Sequence, residues 1–436
     1  MRCSLPDLYR AWLRRGKSIR CGKGQFALRN IMPKQLVIQL ARFGDIVQTK
    51  RLVLSLMASG EVHLCVDRSL QGVTRLVYPD VTVHGLPAHG CTEAEVLGVG
   101  RAVLERLRAE RFDTVYALNH VGLCRAVATL FDPAVVRGYP VASGQVLRSN
   151  WMRLAFRWMG ERASAPLNLV DFWAALAPVM IPGERVNPPA RPGGAGLGVV
   201  LAGRNARRSL PPEYLAPAAH AAFERLGGPR VVLLGGPTDR PAARRLLAAL
   251  PASMASSAVD LTGRTDWAGL VEALTGLDSL LSPDTGTAHL AAHLGVPVEG
   301  LFCSSAWAYE TGPYGSGHRV WQTVPTCAPC VESAPCPRAA SCREAFAAPA
   351  FLARLQGRTG GAAARPLPGL AALNSGFDAL GETWTPIGGT DPFADRRTAL
   401  RKQLAEYLGL GEAPGGSNAA DIIYREADWM LPQALP

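Results

Sequence analysis

The segment LVIQLARFGD (residues 36–45) indicates a buried strand followed by a tight turn. Its first half, Leu36 to Leu40, is nearly all apolar, as is typical of a parallel strand that is covered by helices on both faces. Gly44 permits the turn, and Asp45 lies near the predicted start of a helix over Val47 to Ala58. A second apolar run, Val62 to Val66, follows this helix. The order strand, helix, strand predicts a parallel βαβ unit.

The same alternation occurs on both sides of a segment rich in proline and glycine, Pro182 to Gly198. Proline and glycine oppose both helix and central strand, which is typical of a linker. Before it we expect strands at Val81 to Leu86 and Thr114 to Leu118, with a helix at Glu93 to Arg111. After it the predicted strands are Val199 to Leu201, Val231 to Leu234, Ala258 to Leu261, Ser279 to Leu281 and Val298 to Leu301. The predicted helices of this second series are Pro212 to Leu226, Arg240 to Leu250, Trp267 to Leu274 and Thr287 to Leu294.

These two series predict an α/β protein with two Rossmann-like, doubly wound domains that face each other across a cleft. Ligands of such sheets bind at the carboxyl ends of the strands, so functional residues are expected in the loops there. From residue 347 the composition changes to Ala, Gly and Pro, which predicts a loosely structured tail. The expected boundaries are a basic N-terminal extension at 1–34, a first domain at 35–187, a linker at 188–197, a second domain at 198–346, and the tail at 347–436 with one helix near 395–408.

The net charge of +11 is concentrated at the N-terminus. Residues 1–34 contain nine Lys or Arg and one Asp, a charge of +8, and the remaining 402 residues carry +3. A near-neutral body with a basic arm excludes a uniformly basic nucleic-acid-binding protein, and no nucleic-acid partner is expected. The arm has two interpretations, an amphipathic helix that lies on an anionic membrane or a segment that docks on the first domain. Its apolar residues at helical spacing are Leu5, Leu8, Tyr9, Trp12 and Leu13.

The overall composition argues against a disordered chain and against a membrane-embedded protein. Hydrophobic residues make up 48% of the 436 residues and charged residues 19%, which is sufficient for large buried cores. The sequence contains no apolar run of the length that a signal-peptide core or a membrane span requires. We therefore expect a cytoplasmic protein with reduced thiols.

Asp45 is a candidate for either a structural or a catalytic role. Aspartate is among the best N-cap residues, so capping is the simpler interpretation of its position near a helix start. At the edge of a cleft the same carboxylate can act as a general base that takes a proton from a hydroxyl nucleophile. The residues themselves leave both roles open.

A loop of the second domain, Asp284-Thr285-Gly286-Thr287-Ala288-His289, is a candidate anion site. It follows a short strand and opens a helix, whose free N–H groups and positive end favour an anion, with Gly286 allowing close approach. In the alternative interpretation, Asp284 or Thr285 is only a helix cap and His289 packs locally.

Two further loops follow strands of the second domain. GRNARR (residues 203–208) begins with Gly203 and Arg204 and ends at Arg208, and its three arginines suit a polyphosphate, although a solvated basic loop is the alternative. Gly235-Gly-Pro-Thr-Asp239 places an acid where a ribose hydroxyl could bind. The sequence has neither a GxGxxG segment nor a P-loop lysine, which argues against hydride transfer and ATP hydrolysis.

Four cysteines lie close together as Cys327-x2-Cys330-x5-Cys336-x5-Cys342. A CxxC pair with two further thiols can complete a tetrahedral site, and four thiolate ligands make such a site structural because no position is left for a substrate. The sequence therefore predicts a small metal-binding insert that holds Fe or Zn. Free reduced thiols or a disulfide pair are the alternatives.

Several segments together resemble the ADP-heptose:lipopolysaccharide heptosyltransferases, glycosyltransferase family nine. They occur in the family's order over about residues 35–346, which is more specific than any single motif. The similar segments are Leu36 to Thr49, Gly203 to Pro211, Val231 to Asp239, Leu261 to Thr265, Ser282 to His289, Leu294 to Pro297 and Thr311 to Gly315. Lys50 differs from the proline common in the family, and the N-terminal arm and the tail have no clear counterpart.

The resemblance implies a GT-B fold and an inverting transfer of heptose from ADP-heptose, the nucleotide-sugar donor, to a hydroxyl of a lipopolysaccharide core or a similar lipid-linked oligosaccharide. It implies that Asp45 is the catalytic base, that Arg208 meets the donor diphosphate, and that Asp239 lies near the donor ribose. The residues it assigns to the donor's diphosphate and sugar are Asp284, Thr285, Gly286 and His289. No catalytic metal is implied.

Other hypotheses remain beside this one. Some relatives glycosylate autotransporter proteins and carry iron bound by four cysteines, so a protein acceptor is an alternative and both Fe and Zn stay open for the cysteine site. The donor could be another nucleotide sugar, or the chain could be a non-catalytic, metal-stabilised binding protein. An anionic lipid acceptor would favour peripheral contact of the basic arm with the inner membrane.

Overall fold

Two mainly parallel β-sheets form the centre of the protein. The structure, a computed structural model, describes residues 32–120, 122–154, 162–203, 206–328, 330 and 334–410. The predicted amphipathic arm at residues 1–31 and the chain after residue 410 lie outside the described residues. None of the described helices combines the length and the hydrophobicity that a membrane span requires.

The first sheet has five parallel strands in the order β3-β2-β1-β4-β5. Its central strand is fully covered, since Leu36, Val37 and Ile38 are each 0% exposed. The strands are β1 Lys34–Gln39, β2 Glu61–Asp67, β3 Thr82–Leu86, β4 Thr114–Ala117 and β5 Val136–Gly138, followed by a small hairpin of β6 Val141–Ala142 and β7 Gln145–Val146. The helices of this part are α1 Phe43–Gln48, α2 Lys50–Met57, α3 Gln71–Val77, α4 Arg101–Ala109, α5 Gly122–Ala128 and α6 Leu169–Ala174.

The second sheet has eight strands in the order β10-β9-β8-β11-β12-β13-β14-β15. The first six run parallel, and β14 and β15 are antiparallel to their neighbours. The strands are β8 Leu197–Val200, β9 Val231–Leu234, β10 Ala258–Asp260, β11 Ser279–Ser282, β12 Val298–Phe302, β13 Arg319–Thr323, β14 Leu370–Phe377 and β15 Glu382–Gly389. The helices are α7 Pro212–Arg225, α8 Arg240–Ala249, α9 Ala252–Ser256, α10 Trp267–Leu274, α11 Gly286–His293, α12 Ala308–Thr311, α13 Pro349–Leu355 and α14 Ala394–Tyr407.

The predicted strands are confirmed to within two residues at each end, but two predicted helices are interrupted. The helix expected over residues 47–58 is two helices that meet at Thr49. The hydroxyl of Thr49 donates to the carbonyl oxygens of Asp45 at 3.0 Å and Ile46 at 2.7 Å, which competes with the helical backbone pattern. The helix expected over residues 93–111 contains a π-helical segment, Val96–Gly100.

The C-terminal segment differs from the loosely structured tail that its composition predicts. Residues 349–407 contain α13, β14, β15 and α14, so the second sheet continues past residue 346. The run Leu370 to Leu373 is at most 2% exposed because it pairs with β13, and Phe351 packs edge-to-face on Trp321 with ring centroids 5.0 Å apart. An apolar run of four residues among Ala, Gly and Pro is too short to show periodicity, and the uncovered edge of β13 determines its burial.

A buried ion pair within the first domain also binds groups of the second domain. Arg51 in α2 contacts Asp171 in α6, with Nη1 2.6 Å from Oδ1, and the two side chains are 4% and 1% exposed. Arg51 also donates to the carbonyl oxygen of Leu380 at 2.9 Å. Asp171 accepts hydrogen bonds from the hydroxyl of Tyr314 at 2.5 Å and from the backbone N–H of Glu382 at 2.9 Å. One carboxylate therefore ties the first domain to the loop after α12 and to the β14–β15 hairpin.

We expect Arg51→Met to lower the free energy of unfolding by about 3–5 kcal/mol, the usual cost of leaving a buried charge without its partner. Burial raises the pKa of Asp171 even against the opposing effect of Arg51, so the carboxylate depends on this guanidinium. Denaturant unfolding of the full chain measures the change. Arg101→Met is the matched control, because Arg101 and Glu105 form an ion pair whose side chains are 80% and 64% exposed. Its midpoint should stay close to that of the unsubstituted chain, and an equal loss in both variants would contradict the role of Arg51.

Candidate active site

A cavity of about 430 Å³ lies between the two sheets at the carboxyl ends of their strands. It is lined from the first domain by the residues that follow β1, namely Arg42 to Asp45. From the second domain it is lined by loops after β8, β11 and β12. Residues from these three loops are Gly203, Arg208, Asp284, Thr285, Gly286, Ser305, Glu310 and Thr311. The carboxyl edges of both sheets thus contribute to one pocket, as the doubly wound topology predicts.

The first turns of α1 and α11 approach each other closely in this cavity. A methyl group at Gly44 would lie 3.2 Å from Cδ2 of His289 and 3.4 Å from Cα of Gly286. A methyl group at Gly286 would collide with the ring of Phe43. Gly286 therefore has no room for a side chain, whereas a methyl group at Gly44 would be tightly packed. The first amides of α11 lack acceptors within the helix, so this contact places an anion-binding helix end beside Asp45.

Asp45 is the third residue of α1 and lines the cavity. Its Oδ2 accepts a hydrogen bond from the backbone N–H of Arg42 at 3.1 Å. The carboxylate thus stabilises the first turn of α1 by this hydrogen bond, and Asp45 also lies at the wall of the cavity. The two roles that the sequence leaves open, helix capping and proton transfer, are compatible with this one position.

Arg208 is held at the cavity wall by Asp284. The guanidinium forms an ion pair with the carboxylate and donates to the backbone carbonyl oxygen of Asp284 at 3.0 Å. Thr311 donates a further hydrogen bond to Oδ2 of Asp284 at 2.8 Å. Burial alone would raise the pKa of Asp284, but Arg208, His289 and Thr311 together outweigh burial and lower the pKa, so Asp284 is a carboxylate at neutral pH. Asp284 therefore positions the cation and neutralises part of its charge.

The other residues of the candidate anion loop also have structural partners. Thr285 is the N-cap of α11, and its hydroxyl oxygen accepts the backbone N–H of Ala288 at 3.3 Å. His289 is 5% exposed, with Nε2 3.7 Å from Oδ1 of Asp284. The capping and local packing that the alternative interpretation predicts are therefore present. Thr285, Gly286 and His289 nevertheless line the cavity as well.

One predicted donor-binding residue, Asp239, is away from the cavity wall, and another cannot be compared. Asp239 is not among its lining residues, and Oδ2 of its carboxylate accepts the backbone N–H of Gly236 at 2.8 Å. Arg204 lies outside the described residues. Gly203 does line the cavity, where a methyl group would lie 2.8 Å from the backbone oxygen of Arg208.

The structure adds three polar residues that the sequence analysis missed, namely Arg162, Ser305 and Glu310. Burial raises the pKa of Glu310 to about 7, and Arg162 opposes this shift with its Nε 3.2 Å from Oε2. Arg162 also donates to the carbonyl oxygen of Ser305 at 3.0 Å. Ser305 and Glu310 could have been predicted from their position after the strand β12, whereas Arg162 belongs to no motif.

The four cysteines share a second cavity of about 310 Å³, which Cys327, Cys330, Cys336 and Cys342 all line. The predicted metal site is not assembled there, since no three His, Cys, Asp or Glu side chains of the described residues are grouped as metal ligands. Cys327 is exposed, whereas Cys330, Cys336 and Cys342 are partly buried. Cys342 instead pairs with a fifth cysteine, since a hydrogen bond from Cys303 lowers the pKa of Cys342 to about 6.

Comparisons with known proteins agree with this architecture. The family model of glycosyltransferase family 9 (heptosyltransferase) matches residues 220–337. A solved structure of a family 9 glycosyl transferase from Veillonella parvula DSM 2008 has 16% sequence identity and a TM-score of 0.51, over 68% of this chain and 89% of that chain. The E. coli heptosyltransferase WaaC with ADP has 15% identity and a TM-score of 0.50, over 67% and 93%. The E. coli ADP-heptose lps heptosyltransferase II has 19% identity and a TM-score of 0.49, over 72% and 98%.

No curated protein sequence matches the chain. At these identities the Veillonella and WaaC structures show that the chain has the α/β glycosyltransferase fold with two parallel sheets. The sequence match covers α7 through the first part of the cysteine cluster and includes the loop Asp284 to His289. Residues 220–337 therefore resemble glycosyltransferase family 9 (heptosyltransferase) in sequence, and the solved structures extend the similarity in fold to about two thirds of the chain.

Proposed function

We propose that this chain transfers heptose from ADP-heptose to a hydroxyl of a lipopolysaccharide core or a similar acceptor, with inversion at the anomeric carbon. The observation that carries the proposal is the shared cavity, which Asp45 lines from the first domain and Arg208 and the start of α11 line from the second. A carboxylate on one side and a cation with a helix N-terminus on the other are the groups that a single displacement requires. The family 9 match of residues 220–337 supports the choice of heptose as the transferred sugar.

In the proposed reaction Asp45 accepts the proton of the acceptor hydroxyl as its oxygen attacks the anomeric carbon of the donor. The bond between that carbon and the phosphate oxygen breaks, and ADP leaves with the bonding electrons. Arg208 and the first amides of α11 stabilise the negative charge that develops on the diphosphate. Attack from the face opposite the leaving group inverts the configuration of the carbon.

The buried ion pair of Arg208 and Asp284 supports this division of roles. A free arginine would lose side-chain entropy on binding the diphosphate, whereas the fixed guanidinium is already oriented. The Asp284 carboxylate repels phosphate, so we assign it to positioning Arg208 and not to direct contact with the diphosphate.

Asp45→Asn should lower kcat about 10²–10⁴-fold, because an amide cannot accept the proton of the acceptor hydroxyl. The affinity for ADP and the thermal midpoint should change little, since asparagine can also accept the N–H of Arg42. Steady-state transfer assays, calorimetric titration with ADP and thermal unfolding measure the three quantities.

Asp132→Asn is the matched control for this experiment. Asp132 caps a 3-10 helix of the same domain through a 2.9 Å hydrogen bond from the N–H of Ala134, and it does not line the cavity. Its turnover should equal that of the unsubstituted chain. Unchanged turnover in Asp45→Asn, or an equal loss of turnover in both variants, would contradict the assignment of Asp45 as the base.

Arg208→Lys should weaken the binding of ADP about tenfold to a hundredfold, because lysine keeps the charge but loses the forked geometry that pairs with phosphate oxygens. The affinity for adenosine, which has no phosphate, should stay within about twofold. Calorimetric titration with both compounds separates the two effects. A parallel loss of adenosine affinity would show that the substitution disturbs the pocket generally and would contradict a specific phosphate contact.

We also propose that Cys327, Cys330, Cys336 and Cys342 hold a structural Fe or Zn ion. The support is that all four line one cavity and that the pKa of Cys342 is lowered to about 6, which favours the thiolate that a metal requires. Four thiolates would close the coordination shell, so the metal would stabilise this part of the fold and leave no position for a substrate.

Cys327→Ser combined with Cys330→Ser should reduce the metal content of protein purified without chelator and without air, and should lower its thermal midpoint. Cys91→Ser is the control, since Cys91 is a partly exposed cysteine outside this cavity. Elemental analysis that finds less than a tenth of an equivalent of metal in the unsubstituted chain would refute the site.

A further inference from the structure

Two buried polar atoms at the wall of the active-site cavity make no hydrogen bond to the described residues, and one of them has only an ion-pair contact with Arg162. They are Oε2 of Glu310 and the hydroxyl of Ser305, in residues that are 5% and 3% exposed. Both residues line the cavity. A buried polar atom without a hydrogen bond is costly, so at the wall of a cavity it favours a polar ligand that supplies the missing bond.

The charges around Glu310 indicate which part of a nucleotide sugar this ligand is. Nε of Arg162 lies 3.2 Å from Oε2, and Asp284 and Arg208 act on the same carboxyl group through their charges. A carboxyl group repels phosphate when ionised, and with its pKa raised to about 7 by burial it is partly ionised at neutral pH. A sugar hydroxyl both donates and accepts, so it can bind the charged and the neutral form alike.

The position of Glu310 also favours the transferred sugar. The next residue, Thr311, donates to Asp284, which in turn holds Arg208. Glu310 is therefore on the same side of the cavity as the group assigned to the diphosphate, and in a nucleotide sugar the transferred sugar is bonded directly to that diphosphate.

We propose that Glu310 and Ser305, positioned by Arg162, form the subsite that recognises hydroxyl groups of the donor's transferred sugar. This inference rests on the proposed function and deepens it, because it names the residues that distinguish one ADP-sugar from another. Arg162 acts as a positioning residue through its contacts with the carboxyl group of Glu310 and the backbone of Ser305. The acceptor is left to the opposite wall, beside Asp45.

The test is a calorimetric titration of the full chain and its variants with ADP-heptose and with ADP. Glu310→Ala should weaken ADP-heptose binding about tenfold or more, and Glu310→Gln, which restores one donor and one acceptor, should recover most of the loss. Ser305→Ala should weaken ADP-heptose binding about threefold. The affinity for ADP should stay within about twofold in each variant, because ADP lacks the transferred sugar.

Ser279→Ala is the matched control for Ser305→Ala. The Ser279 hydroxyl is also buried without a hydrogen-bond partner among the described residues, but Ser279 lies in β11 and does not line the cavity. It should leave both affinities unchanged. Ser305→Ala removes one oxygen atom only, so it carries the test if Glu310→Ala does not fold.

Four outcomes would overturn the assignment. Equal losses of ADP and ADP-heptose affinity would place the residues at the nucleotide, and no loss of either would remove them from the site. A higher KM for the acceptor with unchanged donor affinity would move them to the acceptor side. If the unsubstituted chain binds neither ADP nor ADP-heptose, the proposed function itself is wrong and this inference falls with it.

Discussion

The buried ion pair of Arg51 and Asp171 is the contact on which the geometry of the cleft depends. It fixes α2 of the first domain against α6, the loop after α12 and the β14–β15 hairpin. The cavity is made from both domains, and Gly44 of one domain lies close to Gly286 of the other. A change in the relative position of the domains would alter that contact. The spacing between Asp45 and Arg208 is thus set by charges buried away from the cavity.

The sequence predicts the strands of this fold well wherever both faces of a strand are covered. Leu36, Val37 and Ile38 are fully buried, and such a strand leaves an unbroken apolar run that is visible without any knowledge of its neighbours. The pairing of β14 with β13 leaves a weaker signal, because its run is short and lies in a segment rich in small residues. The break at Thr49 could not be predicted either, since it depends on which carbonyl oxygen the hydroxyl selects.

The candidate site is predicted where local structure and chemistry require the same residue type. Asp45 and Thr285 both stabilise the first turn of a helix, and both lie at the cavity because helices of this fold begin at the carboxyl ends of strands. Asp239 satisfies the same local rule, but its carboxylate contacts Gly236 and the residue is not at the cavity wall. Glu310 and Arg162 belong to no motif, and only the tertiary fold brings them together.

The β14–β15 hairpin affects the order in which contacts form while the chain is being synthesised. A ribosome releases the first domain early, because chains emerge from the N-terminus. The backbone groups that bind Arg51 and Asp171, the carbonyl of Leu380 and the N–H of Glu382, emerge about 200 residues after Asp171 itself. The first sheet can therefore form well before these contacts exist. The contacts that hold the cleft between the domains can therefore form only after translation has passed residue 382, so its geometry is fixed later than the first sheet.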